Sequence, residues 1–338
     1  MIRFAYHRAE TVEDAVRLLA AEPTAKPLAG GTNLVDLLKY DVERPTAVVD
    51  LNYLQLDTIE QTDNGGLRLG ALVSNNDTAY DPRVREGFPL LSHAILAGAT
   101  GQLRNAATNG GNLNQRTRCY YFYDPVTPCN KRAPGSGCGA IGGVNRIHAI
   151  LGASEQCIAT HPSDMAVALA ALEAVVVVQG PAGVRRIPLA EYHVLPDSHP
   201  ERDNVLNPGD LVTAIELAPR SFGNHWTYLK LRDRQSYAFA LVSVAAGLEI
   251  EGDTIRQARI ALGGVAHKPW RDVEAETLLE GQHPSRELFL SVADHILRDA
   301  KGQGGNDFKI ELARRAVVRA LTQATAGTPQ PIAEKRIV

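Results

Sequence analysis

The feature that most constrains this chain is a long stretch, residues 107–164, that shows neither helical nor strand periodicity. Irregular connections beyond about 12 to 15 residues are uncommon in compact domains unless they are functional or disordered. Disorder fits poorly, because residues 120–123 are four consecutive aromatics, a residue type that disordered segments lack. Something other than regular backbone hydrogen bonding must hold this stretch. It contains every cysteine of the chain, Cys119, Cys129, Cys138 and Cys157, and four thiolates around a metal centre would hold it.

The cysteine spacing by itself leaves four interpretations open. The stretch lacks the short C-x2-C pair that is usual in zinc sites. Its intervals are compatible with an iron–sulfur cluster, a zinc site, two disulfides or four unrelated buried thiols. Nearby cations favour a cluster, because a centre ligated by four thiolates carries negative charge, although such residues are also common on solvated loops. These cations are Arg116, Arg118, Lys131 and Arg132. We expect His148 to lie on the polar surface of the loop rather than to be a ligand.

The bulk properties of the chain exclude several classes of function. A length of 338 residues predicts two or three domains, and a chain of that size buries enough surface to be stable without a disulfide or metal. A net charge of -3 without a dense run of Lys or Arg argues against a nucleic-acid partner. The first residues lack the apolar core of a secretory signal, and no apolar run is long enough for a membrane span. We therefore expect a chain without an export signal of its own and without a membrane-spanning segment.

Apolar periodicity and turn residues divide the chain into an α+β arrangement. Residues 1–56 are predicted to form a small α/β lobe, and residues 57–218 are predicted to form a second, mixed lobe. The irregular residues 107–164, here called the cysteine stretch, belong to this second lobe, and the loop that holds the cysteines covers 114–160. A linker at 219–224 precedes a domain over 224–326 in which strands come first and helices after. A polar tail follows at 327–338. The predicted strands lie at 4–8, 26–29, 47–51, 57–59, 67–69, 175–178, 184–187, 226–231, 240–250 and 255–262, and the predicted helices at 12–19, 34–38, 90–96, 164–172, 270–280, 286–299 and 308–323.

Glycine pairs mark two candidate phosphate-binding turns. Residues 30–33 read Gly-Gly-Thr-Asn between a strand and a helix, where successive backbone N–H groups can bind a pyrophosphate. Gly110 and Gly111 could approach the same ligand closely, although either turn alone is more often structural.

The residue types at 135–140 match a dinucleotide-binding fingerprint, but no strand precedes them and a cysteine lies inside the motif, so a Rossmann site is rejected. Neither a Walker loop nor a G-x-S-x-G elbow is present, and no pair of residues predicts acid–base catalysis.

Five motifs in this order resemble the FAD-binding subunit of molybdenum hydroxylases, a family that includes the medium subunits of xanthine dehydrogenase, carbon monoxide dehydrogenase and aldehyde oxidoreductases. They are KPLAGGTNL at 26–34, ATNGGNL at 107–113, PSD at 162–164, YLK at 228–230 and GGVAHKP at 263–269. The resemblance spans almost the whole chain. It implies a PCMH-type FAD-binding domain in two lobes, followed by an α+β domain like the carbon monoxide dehydrogenase flavoprotein C-terminal domain.

The resemblance also implies a set of FAD-binding residues. One wall of the site would hold the pyrophosphate, and the second wall would come from the second glycine motif. Asp164 would hydrogen-bond the cofactor, and Lys230 would approach the flavin from the third domain. The residues of the two walls are Lys26, Pro27, Leu28, Ala29, Gly30, Gly31, Thr32, Asn33 and Leu34 in the first, and Thr108, Gly110, Gly111 and Asn112 in the second.

Most members of the family lack the cysteine stretch, and its presence resembles the branch typified by the FAD subunit of bacterial periplasmic aldehyde oxidoreductase and, more distantly, by 4-hydroxybenzoyl-CoA reductase. That branch implies a 4Fe-4S cluster ligated by all four cysteines. It also implies an electron-transfer subunit in a heterotrimer with a molybdenum-binding large subunit and a 2Fe-2S small subunit. Such a chain would be periplasmic by co-export with a partner, or cytoplasmic. Residues 236–238, Ser-Tyr-Ala, replace the acidic residues that xanthine dehydrogenases keep beside the flavin, which argues against NAD as acceptor.

Two other functions stay open at this point. The chain could be a stand-alone flavin oxidoreductase with its own substrate pocket, or a zinc-bound or disulfide-linked scaffold without redox activity. The absence of an acid–base pair favours the electron-transfer subunit over the oxidase. The sequence does not identify the aldehyde, since the substrate would bind another polypeptide.

Overall fold

The computed structural model describes residues 1–219 and 222–327. Arg220 and Ser221 of the predicted linker, and the predicted tail beyond Gly327, lie outside the described residues. The described residues form three sheets, of three, five and four strands. None of their helices is long and apolar enough to cross a membrane.

The first sheet is parallel and carries two helices. Its elements are β1 Ala5–Arg8, α1 Val12–Ala21, β2 Lys26–Leu28, α2 Leu34–Lys39 and β3 Ala47–Asp50. The strand order is β1-β3-β2. Helix α1 begins at Val12 as predicted, and the hydroxyl of the N-cap residue Thr11 accepts the N–H of Asp14 at 3.1 Å. Because β2 runs directly into residues 29–33 and then α2, the first glycine turn lies at the carboxyl end of a parallel strand, where α/β sheets bind ligands.

The second sheet is antiparallel, in the order β4-β5-β8-β6-β7, and most helices of this part of the chain are short. Its elements are β4 Ile59–Gln61, β5 Leu67–Gly70, α3 Asn75–Tyr80, α4 Pro82–Gly87, α5 Pro89–Ala97, α6 Gly101–Ala106, α7 Asn109–Leu113, α8 Tyr120–Tyr123, α9 Asp164–Ala171, β6 Val175–Gly180, β7 Gly183–Pro188, α10 Leu189–Tyr192 and β8 Leu211–Leu217. The sequence analysis did not predict β8, which is the central strand and pairs with both β5 and β6.

The third sheet is antiparallel in the order β12-β11-β10-β9, and helices follow it. Its elements are β9 Trp226–Leu231, β10 Val242–Glu251, β11 Thr254–Gly263, β12 Trp270–Arg271, α11 Val273–Thr277, α12 Arg286–Ile296 and α13 Phe308–Thr325. The prediction of one helix over 270–280 was wrong. Trp270 and Arg271 pair with β11 as an edge strand, and Asp272 then caps a short helix by accepting the N–H of Ala275.

Side chains of β10 enter cores on both faces of the third sheet. Val242, Val244 and Leu248 pack in one core with residues of α12 and α13. Ala245, on the opposite face, packs in the core that contains α9 and the second sheet. The period of two along a strand explains this alternation. Strand β10 therefore joins the third sheet to the part of the chain that carries the cysteines.

Lys309 of α13 fixes the third sheet and its helices to the cysteine stretch. The side chain is fully buried, and its ammonium donates to the carbonyl oxygens of His148 at 2.7 Å and Gly264 at 2.6 Å. No carboxylate lies within ion-pair distance of it among the described residues. Lys309 therefore stabilises the fold as a hydrogen-bond donor to buried backbone oxygens.

Replacing Lys309 by methionine is expected to lower the free energy of unfolding by about 2 kcal/mol or more, because two buried carbonyls lose a donor while the apolar stem is kept. Burial lowers the pKa of Lys309 from 10.5 to about 7. Between those values the unfolded chain holds a proton that the folded chain has released, so this group makes the protein more stable as pH rises from 7. Denaturant titrations at neutral and alkaline pH should show that rise reduced in Lys309→Met. The exposed Lys301→Met is the control, and equal pH dependence in both variants would contradict the assignment.

Candidate functional site

A cavity between the first and second lobes brings together most of the predicted FAD-binding residues. Its volume is about 440 Å³, within the range of small-molecule and cofactor sites. The lining includes all of residues 26–34 except Leu28, and Thr108, Gly110 and Gly111 from the second glycine motif. Leu28, Asn112, Asp164 and Lys230 are outside the lining. The two predicted walls therefore face one cavity, while four of the predicted residues do not line it.

The first glycine turn presents free backbone donors to this cavity. The N–H groups of Gly30, Gly31 and Thr32 donate to no protein acceptor among the described residues. Gly31 has a positive φ of 70°, the left-handed conformation that lets consecutive N–H groups point to one side. Such an arrangement stabilises an anion, so this wall fits a pyrophosphate.

The second wall contributes close approach rather than donors. The N–H of Gly110 donates to the carbonyl oxygen of Ala71 at 2.8 Å, and that of Gly111 donates to the hydroxyl of Thr108 at 3.2 Å. Asn112 turns away and connects this wall to α9, because its side-chain oxygen accepts from the hydroxyl of Ser163 at 2.6 Å. Its amide donates to the side-chain oxygen of Asn75 at 2.6 Å.

Asp164 and Lys230 form a buried ion pair with each other and do not line the cavity. The Lys230 ammonium lies 2.8 Å from one Asp164 oxygen, and the Tyr228 hydroxyl donates to the other at 2.6 Å. Lys230 also donates to the carbonyl oxygen of Ala97 at 3.1 Å. The side chain of Lys230 is 5% exposed. Asp164, predicted to hydrogen-bond the cofactor, and Lys230, predicted to approach the flavin, are thus paired with each other, which fixes the position of both charges.

A second, narrower cavity brings together the four cysteines. Cys119, Cys129, Cys138 and Cys157 all line it, and none of the four forms a disulfide. The cavity is lined by residues from both ends of the cysteine stretch, from Thr117 to Ala159. Cys129 and Cys138 are also paired through their backbones in an isolated antiparallel β-bridge. Four converging thiols are the donor set of tetrathiolate zinc and iron–sulfur centres. The arrangement therefore fits a single metal centre held by one irregular stretch.

His148 lies against the cysteines, and its expected place on the polar surface was wrong. The residue is 1% exposed, and its Nε2 lies 3.1 Å from the sulfur of Cys119. Burial lowers the pKa of His148 to about 4, so the neutral imidazole can donate one N–H to the sulfur. Burial also raises the pKa of the Cys119 thiol to about 12 and that of Cys157 to about 11. Metal binding at these cysteines would therefore displace protons.

The cations near the cysteines have different roles. Lys131 lines the cysteine cavity with a fully buried side chain. Arg132 instead donates to backbone carbonyls, among them those of Tyr121 at 2.7 Å and Phe122 at 2.8 Å. Arg118 donates to the hydroxyl of Tyr123 at 2.7 Å. Lys131 is the cation placed to offset charge at the cysteine site, and the two arginines order the surrounding loop.

Sequence reasoning missed the acidic residues that lie between the two cavities. Glu43 and Asp203 line the first cavity and both pair with Arg116, at 2.5 Å and 2.8 Å. Burial would raise the pKa of Asp203, but the charges of Arg116 and Lys131 lower it well below its usual range, so its carboxylate is ionised. No motif contains Asp203, and only its position after the turn-rich segment 196–202 could have pointed to it.

Comparison with known proteins agrees with this arrangement. The family model for the FAD binding domain in molybdopterin dehydrogenase matches residues 2–220, and that for the CO dehydrogenase flavoprotein C-terminal domain matches residues 226–324. The chain is 50% identical to the aldehyde oxidoreductase FAD-binding subunit PaoB of Escherichia coli, over 96% of this chain and 99% of that protein. It is 27% identical to the glyceraldehyde dehydrogenase medium chain of Sulfolobus acidocaldarius, over 94% and 95% of the two chains.

Among solved structures, a carbon monoxide dehydrogenase from Hydrogenophaga pseudoflava is similar with a TM-score of 0.76 and 26% identity, over 97% of this chain and 100% of that chain. The predicted fold class, a two-lobed FAD-binding domain followed by a carbon monoxide dehydrogenase flavoprotein C-terminal domain, is confirmed.

Proposed function

This chain belongs to the family of FAD-binding subunits of molybdenum hydroxylases, and from that premise we propose that it is the FAD- and 4Fe-4S-binding electron-transfer subunit of a molybdenum-dependent aldehyde oxidoreductase. Two of the similar proteins are named as subunits of enzymes that act on an aldehyde, an aldehyde oxidoreductase and a glyceraldehyde dehydrogenase. FAD would take up electrons removed from the aldehyde at molybdenum on a large subunit and relayed by a 2Fe-2S small subunit. It would pass them to an external acceptor.

The main support for FAD binding is the first glycine turn, whose backbone N–H groups have no protein acceptor among the described residues. Gly30, Gly31 and Thr32 offer three N–H groups to a cavity of cofactor size. The flavin supplies the redox chemistry when bound, and the protein supplies position and electrostatics. We assign the pyrophosphate to residues 26–34, with Thr108, Gly110 and Gly111 as the opposite wall. Asn112 orients that wall from behind.

Asp164 and Lys230 are assigned to the flavin end of the site. Their ion pair fixes the position of the Lys230 ammonium, so this residue can present a positive charge toward the flavin without moving. Tyr228 holds the other oxygen of the Asp164 carboxylate. An immobile charge beside a cofactor needs no reorganisation when electrons arrive, which is the electrostatic advantage of a preorganised site.

The convergence of Cys119, Cys129, Cys138 and Cys157 on one cavity supports a cluster ligated by all four. Zinc and 4Fe-4S both accept four thiolates. Lys131 lies at the cavity, and His148 can donate to the Cys119 sulfur, so both stabilise the negative charge of a four-thiolate centre. The cysteine spacing favours the cluster, because it lacks the short C-x2-C pair that is usual in zinc sites. A zinc or disulfide scaffold is the alternative.

We propose the division into lobes 1–56 and 57–218, with the cluster loop at 114–160, and a third domain at 224–326. The partners are a large and a small subunit in a heterotrimer. The assembly would be periplasmic through a signal on a partner, or cytoplasmic.

The test is cofactor analysis of the anaerobically purified full chain, alone and co-expressed with candidate large and small subunits. We expect about one FAD, four irons and four sulfides per chain, and a cluster signal in low-temperature electron paramagnetic resonance. One zinc without sulfide would contradict the cluster and favour the scaffold. Aldehyde turnover by the single chain without partners would contradict the electron-transfer role and favour the stand-alone oxidoreductase.

A further inference from the structure

We propose that the two cavities are coupled through Lys131, Asp203 and Arg116, so that occupation of the cysteine site sets the affinity for FAD. The inference rests on the function proposed above, because it assumes FAD in the first cavity and a metal centre in the second. It makes Lys131 a positioning residue, because Lys131 does not line the FAD cavity and acts on it through Asp203 and Arg116.

Five charges of alternating sign run from the first glycine wall to the cysteine cavity. Lys26 lies 3.3 Å from Glu43, whose other oxygen lies 2.5 Å from Arg116. Arg116 lies 2.8 Å from one oxygen of Asp203, and Lys131 lies 2.6 Å from the other. The first four line the FAD cavity, and Lys131 lines the cysteine cavity. One uninterrupted set of ion pairs therefore connects the linings of both cavities.

The inner members of this set are held tightly enough to transmit a displacement. Exposure of the side chain is 0% for Lys131, 12% for Glu43, 19% for Arg116 and 21% for Asp203, and it rises to 39% at Lys26, the outer end of the set. Lys131 also donates to the carbonyl oxygen of Pro200 at 2.6 Å, which ties it to the segment that forms one wall of the FAD cavity. Breaking a buried ion pair by removing one partner is costly, so these residues move together or lose a pairing.

A second connection joins the glycine turn directly to the cysteine stretch. The side-chain oxygen of Asn33 accepts the backbone N–H of Arg116 at 2.9 Å, and its amide donates to the hydroxyl of Tyr123 at 3.3 Å. Leu37 of α2, one turn beyond, is buried in the same cluster as Cys119 and Cys157. The glycine turn therefore contacts the cysteine stretch directly, at Arg116 and Tyr123.

The consequence is an energetic coupling between two binding events. When the metal centre is bound, the cysteine stretch holds Arg116 and Asn33 in position in the lining of the FAD cavity. When the metal centre is absent, FAD binding must also order the stretch, and the free energy of that ordering lowers the affinity for FAD. Couplings of this kind are reciprocal and are typically about 5- to 150-fold. We expect removal of the metal centre to weaken FAD binding about tenfold or more.

The test measures the dissociation constant of FAD by flavin fluorescence for the full chain, before and after iron removal by a chelator. In the wild-type chain we expect the constant to rise about tenfold on iron removal. In Lys131→Met, the iron-loaded form should already bind FAD as weakly as the iron-depleted wild type, and iron removal should change the constant less than about threefold. Lys131→Arg keeps the charge and should restore most of the coupling. If Lys131→Met retains no iron, Asp203→Asn takes its place.

The matched control is Glu276→Gln, which removes one partner of a buried ion pair in the third sheet. Glu276 is 2% exposed and pairs with Arg271 at 2.8 Å, and it lines neither cavity. It should keep the wild-type dependence on iron. Binding of both FAD and iron with independent affinities would overturn the coupling while leaving the proposed function intact. A wild-type chain that bound no FAD, or no iron, would overturn both.

Discussion

Replacing Cys157 by serine is expected to abolish assembly of the metal centre and to unfold the stretch around it. All four thiols line one cavity, so each supplies a quarter of the ligand set and none has a substitute. Metal–thiolate binding contributes on the order of 10 kcal/mol to local folding, as structural zinc sites show. Iron and sulfide should fall from about four per chain to near zero, and the same result is expected for Cys119, Cys129 and Cys138.

The loss of order can be read separately from the loss of iron. Limited proteolysis should cut the serine variant at Lys131 or Arg132, since the burial that protects these bonds in the wild type depends on the folded stretch. FAD should still bind at saturating concentration, because no cysteine lines its cavity.

Val144→Ser is the matched control. It also introduces serine into the stretch, at a position that is 66% exposed, and should change neither iron content nor cleavage. Full iron content in all four cysteine variants would contradict the ligand assignment.

The sequence predicts the elements whose local pattern is strong, and misses those that depend on tertiary contacts. Helix α1 follows from Thr11 and the spacing of Val16 and Leu19, and strands β10 and β11 follow from two apolar runs that flank the turn residues at 251–253. Strand β8 was missed, although the turn residues at 207–210 precede it, because six of its seven residues are buried and its apolar run is broken by Thr213. A central strand is buried on both faces and so lacks the alternation of an edge strand.

The short helices α3, α6 and α7 were missed for a different reason. Each spans five or six residues, too few for a helical period to appear. Their capping residues Ser74, Thr100 and Thr108 each accept an N–H of the first turn, and this was the only local signal. The turn-rich character of residues 99–114 hid α6 and α7, and because α7 lies within residues 107–164, the cysteine stretch appeared less regular than it is.

Buried polar side chains were the least predictable part of the site. His148, Asp203 and Lys309 belong to no motif, and in sequence each has the composition of a surface residue. Their burial depends on carbonyls and charges supplied from distant parts of the chain, as with Lys309 and Gly264. The glycine walls and the cysteines could be predicted because their residue types carry the chemistry, whereas these supporting residues are defined only by where the fold places them.

Replacing Gly30 by alanine is expected to weaken FAD binding about 100-fold and to lower the stability of the first lobe. A Cβ at this position would lie 1.7 Å from the carbonyl oxygen of Ala106 and 2.6 Å from its carbon, distances that no pair of atoms tolerates. Since the neighbour is backbone, no side-chain rotation can relieve the contact, and either the glycine turn or residues 106–107 must shift. Those residues lead directly into the second wall at Thr108, so a shift would separate the two walls that face the cavity.

The expected magnitude follows from the free-energy cost of overpacking, which is typically about 1 to 3 kcal/mol. If this cost raises the free energy of the FAD-bound conformation only, the affinity for FAD falls by roughly 5- to 150-fold. FAD titration followed by flavin fluorescence measures this change, and thermal unfolding measures the loss of stability.

Gly87→Ala is the control, because no atom lies within 4 Å of the added Cβ and alanine is favoured over glycine in a helix. Iron content should stay at the wild-type level in Gly30→Ala, which separates damage to the FAD wall from collapse of the cysteine stretch. Wild-type FAD affinity in this variant would mean that the turn at residues 30–33 is not the pyrophosphate wall.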